Sequence, residues 1–415
     1  MNSAIAATIG LLVAIFLIIK KLSPVYSLLL GALIGGLLSG WGLELTVKEM
    51  IGGVKDIAPA IVRIIAAGVL TGMLVKTGAA ARISFKIVET LGEKRVYMAL
   101  ALSALLLTAM GVFIDVAVIT IAPIAIMVGR RLHLSRTKLL LAMIGGGKCG
   151  NIISPNPNTI VASDNFGAPL VSVMGAGVIP ALLGLLVTVF LIVPLVPSKD
   201  RMEGGEDSVD LDDLPSFFAS IVGPLVAIAL LALRPLCGFV VDPMVALPVG
   251  GVIGLFATGC WKRTGESLSY GLGKMSGIAV LLVGTGTLAG IIKASAIKDV
   301  IIGALAGWSN GAVILAPLSG TLMCAASAST TAGATIASAS FAQTILAAGV
   351  SAVWAAAMTN AGATVLDHLP HGSFFHATGG SMGMDVSQRL KLIPYESLVG
   401  LSLTLFSVLS YLFLG

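Results

Sequence analysis

Apolar residues along this chain come neither in the alternation of a half-buried strand nor in the narrow stripe of a surface helix. They come in unbroken runs that reach or approach the roughly 20 residues a helix needs to cross a bilayer, whereas barrel strands of about 10 alternating residues do not fit. The runs lie near 4–19, 24–41, 57–75, 139–163, 172–196, 216–235, 243–260, 275–292, 350–381 and 393–414, and those at 139–163 and 350–381 are interrupted. Two further stretches, about 96–129 and 314–347, read as hairpins that enter and leave on one face. The pattern predicts an all-α polytopic membrane protein with about 10–12 membrane segments plus hairpins.

The two halves of the pattern match. Ser23-Pro24 is followed by Gly31, Gly35 and Trp41, and Asp242-Pro243 by Gly250, Gly254 and Trp261. Gly68-x-Leu70-x-Gly72 recurs as Gly286-x-Leu288-x-Gly290, at a shift of 218 against the 219 that aligns the prolines. A nearly constant offset across three helices marks an internal repeat, a common sign of transporter folds. Residues 1–196 form the first repeat, 197–215 a linker and 216–415 the second repeat. The linker carries seven acids against two bases and reads as solvated.

Composition closes off whole classes of function. Of 415 residues 57% are hydrophobic and only 11% charged, far below the roughly 25% charged of a soluble domain. No soluble stretch is long enough for a catalytic domain. The first apolar run lacks a basic segment before it and has Lys20 and Lys21 after it, so it reads as a retained span. With the N-terminus outside, eighteen bases, Lys274 and Arg389 among them, collect on the inner face and six on the outer. With Lys148 left inside the membrane this accounts for all 25, and the positive-inside rule favours that orientation, with a cytoplasmic linker. The two repeats are then inverted. The net charge of +5 reflects these basic loops and implies no nucleic-acid partner. Four scattered cysteines suggest neither a disulfide nor a metal site.

Helix-breaking sequence at mid-depth is tolerated where it lines a protein-buried or wet cavity. The first break runs from Gly145 to Thr159, through three glycines, Lys148, Asn151, Ser154, Asn156 and Asn158. The second, from Asn360 to Ser373, holds Thr364, Asp367, His368 and His371. The hairpins turn near Gly111–Asp115 and near Ser327–Gly333, the latter with Ser329, Thr330 and Thr331. Convergence of tips and breaks at the midplane makes a site for a small carboxylate. Asn151, Ser154, Asn156, Asn158, Ser329, Thr330, Thr331, Asn360, Thr364 and His371 are the candidate substrate ligands. Asp115, an acid among Phe113, Ile114, Val116 and Ala117, is read as a protonatable coupling residue. Asp367, His368 and His371, titratable groups near the second break, suggest a proton path. Lys148 is read as snorkelling to the interface, with pairing to substrate as the alternative.

At these residues the chain resembles the gluconate permease (GntP) family of the ion transporter superfamily, over nearly its whole length. The matching pieces are Phe113-Ile114-Asp115-Val116 with Pro123 following, Ser154-Pro155-Asn156-Pro157-Asn158-Thr159, and the second break with His368 and Phe374-Phe375. Asp115 stands where the family has Glu, Asn156 where it has His, and Pro370-His371 where it has Asn-Asp. The resemblance implies a bacterial inner-membrane symporter, driven by the proton gradient without a cofactor. It also implies uptake of gluconate or a related small hydroxy-acid by an elevator-like movement in a homodimer. Sodium coupling is the alternative, because unwound carbonyls also ligate sodium. An embedded enzyme is disfavoured, as the chain has no Gly-x-Gly-Asp or His-Glu-x-x-His string, and a phosphate-binding loop for ATP is absent. A channel would not need two broken-helix repeats.

Overall fold

A computed structural model describes residues 2–197, 200–203, 214–296, 300, 311–370 and 372–415. The regular structure among them is helical apart from one bridge, Ser135 to Arg201. The first half holds α1 (Ser3–Ile19), α2 (Pro24–Leu38), α3 (Gly42–Lys76), α4 (Ala79–Leu91), α5 (Val96–Ala109), α6 (Ile114–Arg131), α7 (Arg136–Asn151) and α8 (Pro157–Phe166). It ends on α9 (Leu170–Leu195), which contains a π turn at Thr188–Ile192. The second half holds α10 (Phe217–Cys237), α11 (Pro243–Ala257), α12 (Thr264–Ala294), α13 (Gly311–Ser327), α14 (Thr330–Ala347), α15 (Ala352–Gly362), α16 (Ser373–Ser381), α17 (Val386–Leu390) and α18 (Ile393–Leu414). Pro24, Pro157 and Pro243 each open a helix, where the missing N–H costs nothing and the fixed φ suits the first turn.

Among the described residues five helices are long and apolar enough to cross a membrane: Gly42–Lys76, Leu170–Leu195, Phe217–Arg234, Trp261–Ala294 and Val386–Leu414. Four shorter apolar helices accompany them. Both long central helices start earlier than the apolar runs at 57–75 and 275–292 suggest. α3 has 35 residues, about 52 Å at 1.5 Å per residue, against a hydrocarbon core of about 30 Å. Its first turns carry Glu44, Lys48, Glu49 and Lys55, so a hydropathy reading stops where the helix does not. The segment after α3, expected as a basic loop, is the amphipathic α4, which buries Ala80, Ile83 and Val88.

α3 and α12 pack antiparallel along most of their length, and the repeated glycines are the reason they can. A Cβ on Gly72 would lie 2.0 Å from the carbonyl of Ser267, and one on Gly290 would lie 2.1 Å from that of Glu49. Near both ends of the crossing, therefore, backbone touches backbone. α1 with α2, and α10 with α11, flank this pair, while α5–α9 and α13–α18 form a second group of helices against it. The start of the linker is docked rather than solvated: Asp200 accepts from the Ser135 hydroxyl (2.6 Å) and the Thr137 N–H (2.8 Å) at the start of α7. Residues 204–213 of the linker lie outside the described residues.

Candidate functional site

The two hairpin tips fold by different local devices. Between α5 and α6 the chain turns on Gly111, at φ +99°, whose carbonyl accepts from the Thr71 hydroxyl of α3 (3.0 Å). Between α13 and α14 it turns on Ala328, at φ +47°, a conformation an L-residue adopts at a cost. Ser329 then caps α14 by accepting from the Ala332 N–H (3.3 Å). Gly372 lies so close that a Cβ there would sit 2.4 Å from the Ala328 carbonyl, which presses this tip onto the second break.

These pieces border an open cavity of about 260 Å³. Asp115 reaches it from the first turn of α6, Asn151 from the end of α7, and Ser329, Thr330 and Thr331 from the second tip. Asp367 comes from the second break, Phe113, Ile114 and Phe374 supply apolar wall, and Lys274 and Ile278 face it from α12. Six of the sequence-predicted residues are thus brought to one space.

The other candidates lie behind its wall. Asn156 caps α8 by accepting from the Thr159 N–H (3.1 Å) and donates to the Asn151 carbonyl (2.8 Å) and to the Asn151 side chain. Asn158 donates to the Asn360 amide oxygen (2.7 Å), and Asn360 donates in turn to the Thr159 hydroxyl (3.1 Å). These two amides are therefore spent on each other, tying one break to the other. The Thr364 hydroxyl donates back to the Ala361 carbonyl (2.7 Å). Ser154 is fully buried, and its hydroxyl has no partner among the described residues. His371 lies outside the described residues.

Lys148 does not snorkel. It is fully buried, 2.6 Å from an Asp367 carboxylate oxygen, and it donates to the Thr364 carbonyl (2.6 Å). Its third neighbour is His368 Nδ1, at 3.1 Å. Because the Ile393 carbonyl, 3.0 Å from His368 Nε2, can only accept, Nε2 carries a ring proton. Snorkelling fails because Lys148 sits twelve residues into α7, on a helix buried on all sides there, with a carboxylate in reach. Asp367 spans the wall: one oxygen meets Lys148 and His368, the other accepts from the Thr330 hydroxyl (2.7 Å) at the cavity.

Sequence reasoning missed the far end of this network. Arg389, assigned above to the basic inner face, is 1% exposed, ion-paired with Glu396 of α18, and stacked 4.9 Å over the Phe375 ring. A second Glu396 oxygen stands 3.8 Å from His368 Nδ1. Lys148 and Arg389 are thus the buried cations set against the buried carboxylates Asp367 and Glu396. The available signal was Glu396 itself, an acid in the first turn of an otherwise apolar span, which demands a counter-charge.

Sequence comparison with known proteins was decisive for the family. The description GntP family permease matches residues 3–413. The chain belongs to that family. This GntP permease is 55% identical over 410 residues, 99% of the chain and 98% of the relative, to a Haemophilus influenzae protein described as an uncharacterized transporter. It is 27% identical over 242 residues to the gluconate permease of Pseudomonas aeruginosa, 56% of this chain and 53% of that one. In structure it is similar to the YdaH transporter of Alcanivorax borkumensis, with a TM-score of 0.63 at 16% identity, covering 90% and 89% of the two chains. The permease is a multi-pass, all-helical membrane transporter of a bacterial permease family and not an enzyme. One Gly-x-Ser-x-Gly string does occur, Gly379–Gly383, but Ser381 ends a helix and donates to the Thr378 carbonyl (2.9 Å), unlike a nucleophile on a strand-to-helix turn. Among the described residues no group of three or more His, Cys, Asp or Glu could hold a metal ion.

Proposed function

We propose that this permease is a proton-coupled symporter of gluconate or a related small hydroxy-carboxylate, working by an elevator-like movement in a homodimer of the inner membrane. The observation that carries the reading is the cavity itself. It is small, its polar lining is made of hydroxyl groups and the Asn151 amide, which suit a polyol acid, and it contains one carboxylate, Asp115, without an ion pair among the described residues, while the other, Asp367, is matched by Lys148. A carboxylate in membrane protein without a counter-ion is the group to take up a proton as substrate enters.

The antiparallel course of α3 and α12, which hold corresponding places in the two halves, supports inverted repeats, and the distribution of basic residues adds an N-terminus outside and a cytoplasmic linker. The moving unit is then the group of hairpins and broken helices, and α1–α3 with α10–α12 are the frame. Proteoliposomes holding an imposed pH gradient in sodium-free buffer test the coupling. Uphill uptake of labelled gluconate, collapsed by a protonophore, is the expected result; uptake that requires sodium replaces the proton. A competition panel of glycerate, hydroxybutyrate, lactate and citrate locates the acid if gluconate is not carried. Asp115→Asn is expected to lose accumulation yet keep substrate exchange, and unchanged proton-driven accumulation in that variant removes Asp115 from the coupling role.

A further inference from the structure

The charges around the cavity do not cancel in the way its hydroxyl lining suggests. Asp367 is closed by Lys148 on the protein side. Asp115 on α6 is in ion-pair contact with no cation among the described residues, and an anionic substrate entering beside it meets repulsion alone unless a cation is at hand. Among the described residues that line the cavity the one cation is Lys274. It lies one helical turn before Ile278 on the same face of α12, so the face that meets the cavity carries it. The charged and titratable groups nearest this face are few. On the same helix, Tyr270 has its ring centroid 5.8 Å from the Lys274 ammonium, and Lys76 of α3 approaches that ring from 5.2 Å but is committed to Glu266 at 2.8 Å. Across the cavity stand Asp115 and Asp367. No carboxylate is in ion-pair contact with Lys274 among the described residues.

We propose that Lys274 is the anchor for the substrate carboxylate and that, with Asp115, it selects monoanions carried with a proton; this rests on the carboxylate-transport reading above. Empty, the pair Lys274 and Asp115 sums to zero. A monoanion on Lys274 restores zero only if Asp115 takes a proton, so binding and protonation favour each other. A dianion leaves one negative charge uncompensated, and a neutral polyol does not engage Lys274. The anchor stands on the frame helix α12 while the hydroxyl groups come from the hairpins and breaks, so the site is assembled from both helix groups in this conformation.

Equilibrium binding to the purified full-length permease, with labelled gluconate, glucarate and glucitol as monoanion, dianion and neutral form of one carbon skeleton, tests this. Wild type is expected to prefer gluconate to both. Lys274→Met should weaken gluconate binding tenfold or more and leave glucitol unchanged, and Lys274→Arg should recover most of the loss. In a background with Cys237→Ser and Cys260→Ser, Lys274→Cys should regain gluconate binding when an aminoethyl thiol adduct restores the ammonium, and not with a methyl adduct, a charge rescue that a packing role does not produce. Gluconate binding to folded Lys274→Met within twofold of wild type overturns the anchor and leaves the transport reading standing. Wild type that binds none of gluconate, glycerate, lactate or hydroxybutyrate overturns that reading and the anchor together.

Discussion

The two interrupted helices solve one problem with different chemistry. In the first, between α7 and α8, the freed backbone is served by neutral groups close in sequence: Asn156 reaches back to Asn151 and forward to Thr159. In the second, between α15 and α16, the polar groups are Asp367 and His368, and their partners are Lys148 from α7 and Glu396 from α18. A neutral break can be satisfied locally, one hydrogen bond at a time. A charged break is stable only when distant segments deliver counter-charges, so it binds three parts of the fold into one unit. Each break is also finished by the other, Lys148 closing the second and Asn360 the first.

The largest effect should come from unbalancing the charged break. Lys148→Met strands Asp367 in the interior and is expected to cost about 3–5 kcal/mol, while Lys148→Met with Asp367→Asn should recover most of it. Unfolding in detergent measures both; a single variant as stable as the double would mean the charges are not coupled. At the neutral break, Asn360→Ala removes bonds to Asn158 and Thr159, with an expected loss of about 1–3 kcal/mol. No charge-matched second substitution should rescue it, and a loss equal to that of Lys148→Met would erase the distinction drawn here.

The smallest effect belongs to a charged cluster near the surface. Arg63 of α3 is bidentate to Asp242, the cap of α11, and pairs with Asp164 of α8. Hydrogen bonding from Arg63 holds the Asp242 carboxyl below its usual pKa of 3.8, against the opposing pull of partial burial. A lowered carboxylate stabilises fully above its unfolded value, and that contribution is lost as the pH falls below about 3.8. Because the pair is partly exposed, Arg63→Gln should cost less than about 1 kcal/mol at neutral pH, reduced further by salt. Burial pushes the partner Asp164 up to about 6, so the melting-temperature gap between wild type and variant should narrow first as the pH falls through about 6 and Asp164 takes a proton, and close below pH 3.8 as Asp242 does; a gap that persists in acid would assign the effect to packing.

Some of this was legible in the chain itself. The apolar runs beginning at Pro24 and Pro243 are helices that those prolines open, and the repeated glycine pairs Gly68/Gly72 and Gly286/Gly290, read as a sign of internal repeat, fall where α3 and α12 cross closely. Asp115, Asn151, Ser329, Thr330, Thr331 and Asp367 were legible as site residues because polar groups next to a break or a tip are conspicuous among apolar neighbours. Lys274 and Arg389 were not. Arg389 sits beside Lys391, and Lys274 just ahead of an apolar run, so a count of loop charges absorbs both, and nothing local tells a lysine facing lipid headgroups from one facing a cavity.

What the sequence determined alone was residence in the membrane, the places where helices must break, and the presence of acids that need an explanation there. These follow from the transfer of side chains and from the loss of backbone donors, which are properties of a residue and its near neighbours. Which amide bonds which, that Lys148 belongs to Asp367, and that Arg389 is buried on Glu396 were decided by the tertiary structure. Such pairings depend on distances of about 3 Å between groups that are far apart along the chain, and Coulomb attraction and hydrogen bonding act only across the distances the fold creates.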